Sequence, residues 1–129
     1  MKKGLYEGFL HTMEITVTPK MFAQFEGNIV HPVYSTVSMV YHMELVSRQI
    51  ILPFLENEEE GMGAEVTVKH IQPCKEGIVL SFKATVIKYD GKYIATRIEV
   101  FNKTQLVGEG EVKQVVLLKE KIKTIISSQ

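Results

Sequence analysis

Residues 36–55, TVSMVYHMELVSRQIILPFL, decide the fold of this chain. Their apolar side chains recur every three or four positions, a spacing that is typical of a helix. Ser35 or Thr36 is suited to cap the start, because a hydroxyl oxygen accepts from the free backbone amides of a first turn. The helix is apolar over most of its circumference, which predicts that the rest of the chain wraps around it. Two neighbouring faces share the apolar positions, with Val37, Val40, Glu44, Ser47 and Ile51 on one and Met39, Met43, Val46, Ile50 and Phe54 on the other.

The segment before the helix predicts one strand and little other regular structure. Residues 12–18 alternate between Met, Ile and Val on one side and Glu and Thr on the other, and Pro19 ends the pattern. Such alternation is typical of a half-buried strand. We expect residues 21–27 to form one or two helical turns and residues 28–35, which contain Pro32, to form a loop. After the helix, residues 56–61 (ENEEEG) predict a solvated acidic turn.

The second half of the chain predicts four antiparallel strands, at residues 63–70, 78–89, 92–101 and 104–118. Asp90-Gly91 is a strong two-residue hairpin signal. Gly108 and Gly110 lie inside the last strand, which indicates a bulge or a close backbone approach. Residues 119–129 have the mixed pattern of a frayed helix. The predicted class is α+β, with an antiparallel sheet wrapped around one long central helix, the arrangement called a hot-dog fold.

Composition limits the class of protein. The 129 residues suit a single domain over 1–129, and 15 basic and 15 acidic residues give no net charge. This balance argues against a nucleic-acid binder. The single cysteine, Cys74, excludes internal disulfides and a cysteine-built zinc site. Neither a signal peptide nor an apolar run of about 20 residues is present, so we expect a cytoplasmic protein without membrane contact.

Two titratable side chains are candidates for chemistry. Glu44 lies in the middle of the apolar helix, where an unpaired carboxylate would be costly and its pKa perturbed. The alternative is that Glu44 lies at the helix edge or pairs with Arg48 four residues later. His70 is the last residue of a strand, and histidine titrates near neutrality. The alternative for His70, as for the other three histidines (His11, His31 and His42), is exposure to solvent.

Thr36 and Gly63 are the remaining candidates. The Thr36 hydroxyl either caps the helix or points into a site at its positive end, where backbone amides favour an oxyanion. Gly63 allows a close approach to the backbone ahead of the strand that carries His70. No two histidines have metal-ligand spacing, so we expect no metal. One domain is too small for a cofactor fold, so we expect no cofactor.

These residues together resemble a known family. The stretch Val33-Tyr34-Ser35-Thr36, then Met43-Glu44, then Gly63 and Val68-Lys69-His70 is similar to hot-dog thioesterases of the fluoroacetyl-CoA thioesterase type. In that family a Thr opens the central helix, a Glu follows eight positions later and a His follows that Glu by twenty-six, as here. The resemblance runs from about residue 33 to 77, with agreement in strand order to about residue 118.

The resemblance implies a homodimer, or a higher oligomer, that hydrolyses an acyl-CoA thioester. Thr36, Glu44 and His70 would converge at the subunit interface, with Glu44 as nucleophile or base, Thr36 as its hydroxyl partner and His70 protonating the departing thiolate. Val30, Val37 and Gly63 would contact the substrate. The fluoroacetate-specific members carry Phe at the position of Val30 and Gly at that of Val37. These departures argue against fluoroacetate and favour a short or medium acyl group.

Two other functions remain open at this point. A hot-dog dimer could hold an acyl-CoA or another small acyl ligand without turnover, because one misplaced group would remove catalysis and leave binding. A hydratase or dehydratase on the same fold is a further alternative, although its usual His and Asp or Asn on the helix are not evident. Thioester hydrolysis that depends on Glu44 separates the leading hypothesis from both.

Overall fold

The computed structural model describes all of Met1–Gln129, and each element follows from a local pattern. Pro19–Met21 and Leu52–Phe54 form short 3-10 turns that contain prolines, whose fixed φ suits a first turn. Gln105–Leu118 ends directly at the C-terminal helix. The strands are β1 (Leu10–Thr16), β2 (Phe22–Phe25), β3 (Asn28–Tyr34), β4 (Glu59–His70), β5 (Val79–Tyr89), β6 (Tyr93–Asn102) and β7 (Gln105–Leu118), and the helices are α1 (Thr36–Ile51) and α2 (Lys119–Ser127).

The predicted architecture is confirmed. Five strands form one antiparallel sheet in the order β1-β5-β6-β7-β4, and α1 packs on one face of it, against β4, β7, β1 and β5. The core lies between the helix and the alternate residues of the central strands, as in Leu80, Phe82, Ala84 and Val86 of β5. Strand β4 is an edge strand, because it pairs with β7 on one side alone.

The segment before α1 differs from the prediction. Residues 21–27 are not helical beyond the turn Pro19–Met21, and residues 28–35 are not a loop, because β2 and β3 pair as a hairpin. Glu26 and Gly27 both have positive φ, 52° and 83°, which is the geometry of a tight hairpin turn. Glutamate is an unusual residue there, so the turn carries little sequence signal. Pro32 is accommodated because it lies in the register shift between the pairs Phe22–Tyr34 and Ala23–His31, where it has no partner in β2.

The turn formed by the acidic segment is shorter than predicted. Strand β4 begins at Glu59, and α1 ends at Ile51 rather than near residue 55. The Glu60 carboxylate accepts two hydrogen bonds from Arg48, at 2.9 and 3.2 Å, and a third from the backbone of Gly61. These bonds hold the pKa of Glu60 below its usual value. Two of the acidic side chains therefore belong to the start of a strand instead of a solvated loop.

One stripe of α1 is left uncovered by the rest of the chain. Val37 is 73% exposed and Tyr41 is 61% exposed, and Glu44, one turn further on, is also exposed. These three positions follow one another at helical spacing on a single side. The opposite side, with Met39, Met43, Val46, Ile50 and Ile51, is fully buried.

The glycines of β7 confirm the predicted close approach. A side chain at Gly110 would collide with the backbone carbonyl of Thr67 in β4, and one at Gly108 would meet the sulfur of Met39. The helix and the edge strand therefore pack closely onto β7 where it lacks side chains. Neither α1 nor α2 has the length and apolar character needed to cross a membrane.

Candidate active site

Thr36 and His70 meet at the start of the central helix. Ser35, not Thr36, caps α1, because its hydroxyl accepts from the Ser38 amide at 3.0 Å. The Thr36 side chain is thereby free of the capping role. Its Oγ1 lies 2.9 Å from Nδ1 of His70 at the end of β4. Two of the three candidate residues, Thr36 and His70, therefore meet within one chain.

His70 is half-buried, contrary to the alternative of a solvent-exposed strand end. Burial is the main cause that lowers the pKa of its imidazole, because the charged form loses hydration. The ring is therefore neutral at pH 7. Its Nδ1 is engaged by Thr36, whereas its Nε2 is buried without a hydrogen-bond partner. An unpaired buried nitrogen next to a site is a group that a ligand can satisfy.

Glu44 does not lie beside Thr36 and His70. Its side chain is exposed rather than buried in an apolar face, and it does not pair with Arg48, which bonds Glu60 instead. The carboxylate rests against the backbone of Gly63, where an added Cβ would lie 3.0 Å from its Oε1. A cleft of about 130 Å³ holds both residues, lined by Glu44, Arg48, Gly61, Gly63, Val112 and Gln114. Within one chain Gly63 therefore contacts Glu44 and does not line the groove beside Thr36.

One chain keeps the two halves of the predicted site apart. Eight helical residues separate Thr36 from Glu44, a rise of about 12 Å along the axis. Seven strand residues separate Gly63, which touches Glu44, from His70, or about 20 Å. A glutamate side chain cannot reach across that distance. Within one chain Thr36 and His70 therefore form one cluster, and Glu44 lies apart from it.

Val30 and Val37 flank the Thr36–His70 cluster. Both are exposed and line a groove of about 540 Å³ beside Thr36. The hairpin supplies one wall and the first turn of α1 supplies the other, because β3 leads directly into the helix. Aromatic and small side chains of the hairpin make this groove partly apolar. The residues that line it are Lys20, Phe22, Ala23, Gln24, Phe25, Val30, His31, Ser35, Thr36, Val37 and Ser38.

Two polar residues behind His70 were not predicted. His42 is 6% exposed, which corrects the expectation that it faces solvent, and Tyr34 is 1% exposed. The Tyr34 hydroxyl lies 2.6 Å from Nδ1 of His42. A sequence signal existed for His42, since it falls three residues after Met39 and four before Val46 on the buried stripe. No group of three or more potential metal ligands is present in the chain.

Comparison with known proteins gives a consistent result. The family model described as FlK, fluoroacetyl-CoA-specific thioesterase, matches residues 17–120. A hypothetical protein of Thermus thermophilus, a thioesterase superfamily member, is 39% identical, with 98% of this chain and 93% of that chain covered and a TM-score of 0.91. The thioesterase FlK itself is 21% identical, with 98% of each chain covered and a TM-score of 0.89. No curated protein matches the sequence.

Proposed function

The chain belongs to the family of fluoroacetyl-CoA-specific thioesterases and is a thioester hydrolase of the hot-dog fold, and on that premise we propose that it cleaves a short or medium acyl-CoA at a site shared by two subunits. Thr36 and His70 come from one subunit and Glu44 from the other. The observation that carries this proposal is the separation of Glu44 from the bonded pair Thr36–His70 within one chain. The arrangement needs no cofactor and no metal.

The free edge of β4 supports a homodimer. A long unpaired edge strand is a template for pairing with another chain. Antiparallel pairing of two β4 strands about a point near Val66 and Thr67 would set Gly63 of each chain opposite His70 of its partner. Glu44 rests on Gly63 and Thr36 bonds His70, so this pairing would bring Glu44 of one chain to the Thr36–His70 pair of the other.

The uncovered stripe of α1 supports the same dimer. The two helices would lie antiparallel on one face of the joined sheet, and Val37 and Tyr41 would pack against the partner helix. Burial of such side chains contributes about 25 cal/mol for each Å² of apolar surface removed from water. The stripe ends at Glu44, so the surface that forms the interface also places the carboxylate.

The proposed reaction is hydrolysis of the thioester carbonyl. Glu44 takes a proton from water, which attacks the carbonyl carbon, or the carboxylate attacks directly and water then cleaves the acyl-enzyme anhydride. The carbonyl oxygen gains negative charge near the first-turn amides of α1, which have no acceptor inside the helix. In both routes the C–S bond breaks and CoA leaves as a thiolate, and one water supplies the hydroxyl of the product carboxylic acid and, through Glu44, the proton that the thiolate takes up.

The role of His70 in this scheme is mainly to orient. Burial lowers the pKa of its ring, so the charged imidazolium, the form that would donate a proton to the leaving group, is disfavoured. Its 2.9 Å contact with Thr36 directs the threonine hydroxyl. The partnerless Nε2 is left for the substrate or the attacking water.

The acyl preference follows from the groove beside Thr36. Val30 and Val37 narrow it less than a lid phenylalanine would at position 30, and they offer apolar contact. The groove of about 540 Å³ exceeds the space that a two-carbon acyl group needs. We infer a short or medium alkyl chain in place of fluoroacetyl.

Thiol release from a panel of acyl-CoAs tests the proposal, with the wild type and Glu44→Gln in parallel. Glu44→Gln removes the base or nucleophile without changing volume, and we expect turnover to fall by roughly 10²–10⁴. Lys113→Gln is the matched control, because it also removes one exposed charge near β4. Equal turnover in wild type and Glu44→Gln contradicts the assignment. Saturable acyl-CoA binding with no turnover in the wild type would favour the non-catalytic alternative.

A further inference from the structure

Tyr34 and His42 form a buried polar pair directly behind His70. The Tyr34 ring stacks on the His42 ring, with centroids 5.8 Å apart and planes 13° apart. The same tyrosine ring meets the His70 ring at 73°, with centroids 6.2 Å apart. Tyr34 ends β3 next to the start of α1, so this ring lies between the helix and the strand end that carries His70.

Burial keeps both partners of this hydrogen bond uncharged. Burial raises the pKa of the Tyr34 phenol far above its usual value, so it keeps its proton. Burial also lowers the pKa of His42, so its imidazole is neutral. The neutral phenol and the neutral imidazole therefore share one hydrogen bond of 2.6 Å between Oη of Tyr34 and Nδ1 of His42.

The His42 ring is itself held in place. Tyr41 meets it edge-on at 5.2 Å and Phe82 at 5.7 Å between ring centroids. With Tyr34 on a further side, three aromatic rings surround the imidazole. Such aromatic contacts favour defined orientations over free rotation. His42 is therefore a fixed hydrogen-bond partner that anchors the far end of the Tyr34 side chain.

We propose that Tyr34 and His42 are positioning residues for His70, with the phenol–imidazole hydrogen bond fixing the Tyr34 ring as the surface that holds the His70 imidazole against Thr36. This inference rests on the proposed function for its catalytic consequence. His70 has one hydrogen bond, through Nδ1, and its Nε2 has none. Packing against Tyr34 is therefore the other restraint on the plane of the ring. Loss of the anchor lets Tyr34 tilt and lets Nδ1 move away from the Thr36 hydroxyl.

Removal of the phenol oxygen alone is the direct test. Tyr34→Phe keeps the ring and deletes the anchor, and Tyr89→Phe is the matched control, because it deletes a tyrosine hydroxyl whose contact is the Met1 sulfur at 3.6 Å. We expect Tyr34→Phe to lower kcat by roughly ten- to a hundredfold with KM little changed, since a misplacement of about 1 Å costs that much. Tyr89→Phe should keep the kcat of the wild type.

A second readout reports on His70 without any substrate. Nitrogen-15 NMR of the histidine rings gives the tautomer and the pKa of His70 in each protein. We expect Tyr34→Phe and His42→Phe each to change the tautomer balance and the pKa of His70, whereas Tyr89→Phe leaves both quantities unchanged. The double variant should be no worse than either single one, because both break the same hydrogen bond.

The outcomes separate this inference from the proposed function. A wild type that hydrolyses no acyl-CoA contradicts the proposed function, and the NMR shifts then still decide whether Tyr34 positions His70. A Tyr34→Phe protein with wild-type kcat overturns the inference while the thioesterase assignment stands. A reduced kcat with unchanged His70 signals overturns it too, because the loss would then not act through His70.

Discussion

Two inactive variants of this protein should restore each other. One copy carries Glu44→Gln and the other carries His70→Asn, so each homodimer lacks a necessary group at both of its sites. In a mixed dimer, the His70 of the first copy faces the Glu44 of the second, and that site is intact. The other site of the mixed dimer lacks both groups.

The turnover that mixed dimers should recover follows from the geometry of one chain. Glu44 contacts Gly63 and Thr36 contacts His70, and the strand between these two points spans about 20 Å. Along the helix the same two points lie about 12 Å apart. A carboxylate and an imidazole so separated cannot act on one carbonyl, so the proposed site must draw on two copies of the chain. Random pairing at equal expression makes half of the dimers mixed, each with one of two sites intact, which gives about a quarter of the wild-type turnover. Purified mixed dimer should give about half.

The assay is thiol release by dimers co-expressed with two different C-terminal tags and purified on both. Each variant homodimer, purified alone, sets the background. Cys74 is 2% exposed, and burial raises the pKa of its thiol, so it reacts slowly with the thiol reagent. Mixed dimers with no more turnover than that background would refute the shared site. So would a wild type that is fully active as a monomer.

Two further predictions concern stability. Gly110→Ala should lower the free energy of unfolding by about 2–3 kcal/mol, because the added methyl group meets the Thr67 carbonyl. Gly108→Ala should lower it by less, because the methyl group there meets the flexible side chain of Met39. Urea unfolding measures both free energies, and equal losses would contradict the packing argument. Burial lowers the pKa of His42 and His70 in the folded chain, so the unfolded chain binds protons more readily. The free energy of unfolding should therefore be constant above the ordinary histidine pKa of 6.5 and decline as the pH falls below it. Tm values measured between pH 8 and about 5.5 would show this decline. A Tm that does not change over this pH range would contradict the burial of both rings.

The long elements were predictable because their patterns are strong. The helix from Thr36, the hairpin at Asp90-Gly91 and the antiparallel strands that follow all have the spacing of their structure type. The hairpin β2–β3 was missed, because Glu26 at its turn and Pro32 in its second strand both oppose the usual signals. Here pairing between the two strands overrides local preference.

The candidate site was predictable as a set of residues and not as an arrangement. Thr36 and His70 were predicted, and they are bonded. For Glu44 the sequence left open an apolar surrounding, an exposed helix edge or a pair with Arg48; its side chain is exposed and does not pair with Arg48. The pairing of Arg48 with Glu60 depends on where β4 begins, which no local pattern indicates. The same holds for Tyr34 and His42, whose bond joins a strand end to a helix.

The sequence by itself determined the buried helix, the antiparallel strands and the residue types that suit acyl transfer, because periodicity and capping act between residues near each other in the chain. Only the tertiary structure decided that Thr36 and His70 touch, that Glu44 stands apart on Gly63, and that Tyr34 and His42 close the space behind His70. These contacts depend on how a helix crosses a sheet and which strand is left at its edge. Both are set by packing over the whole core, where each side chain must fill space left by residues distant in sequence.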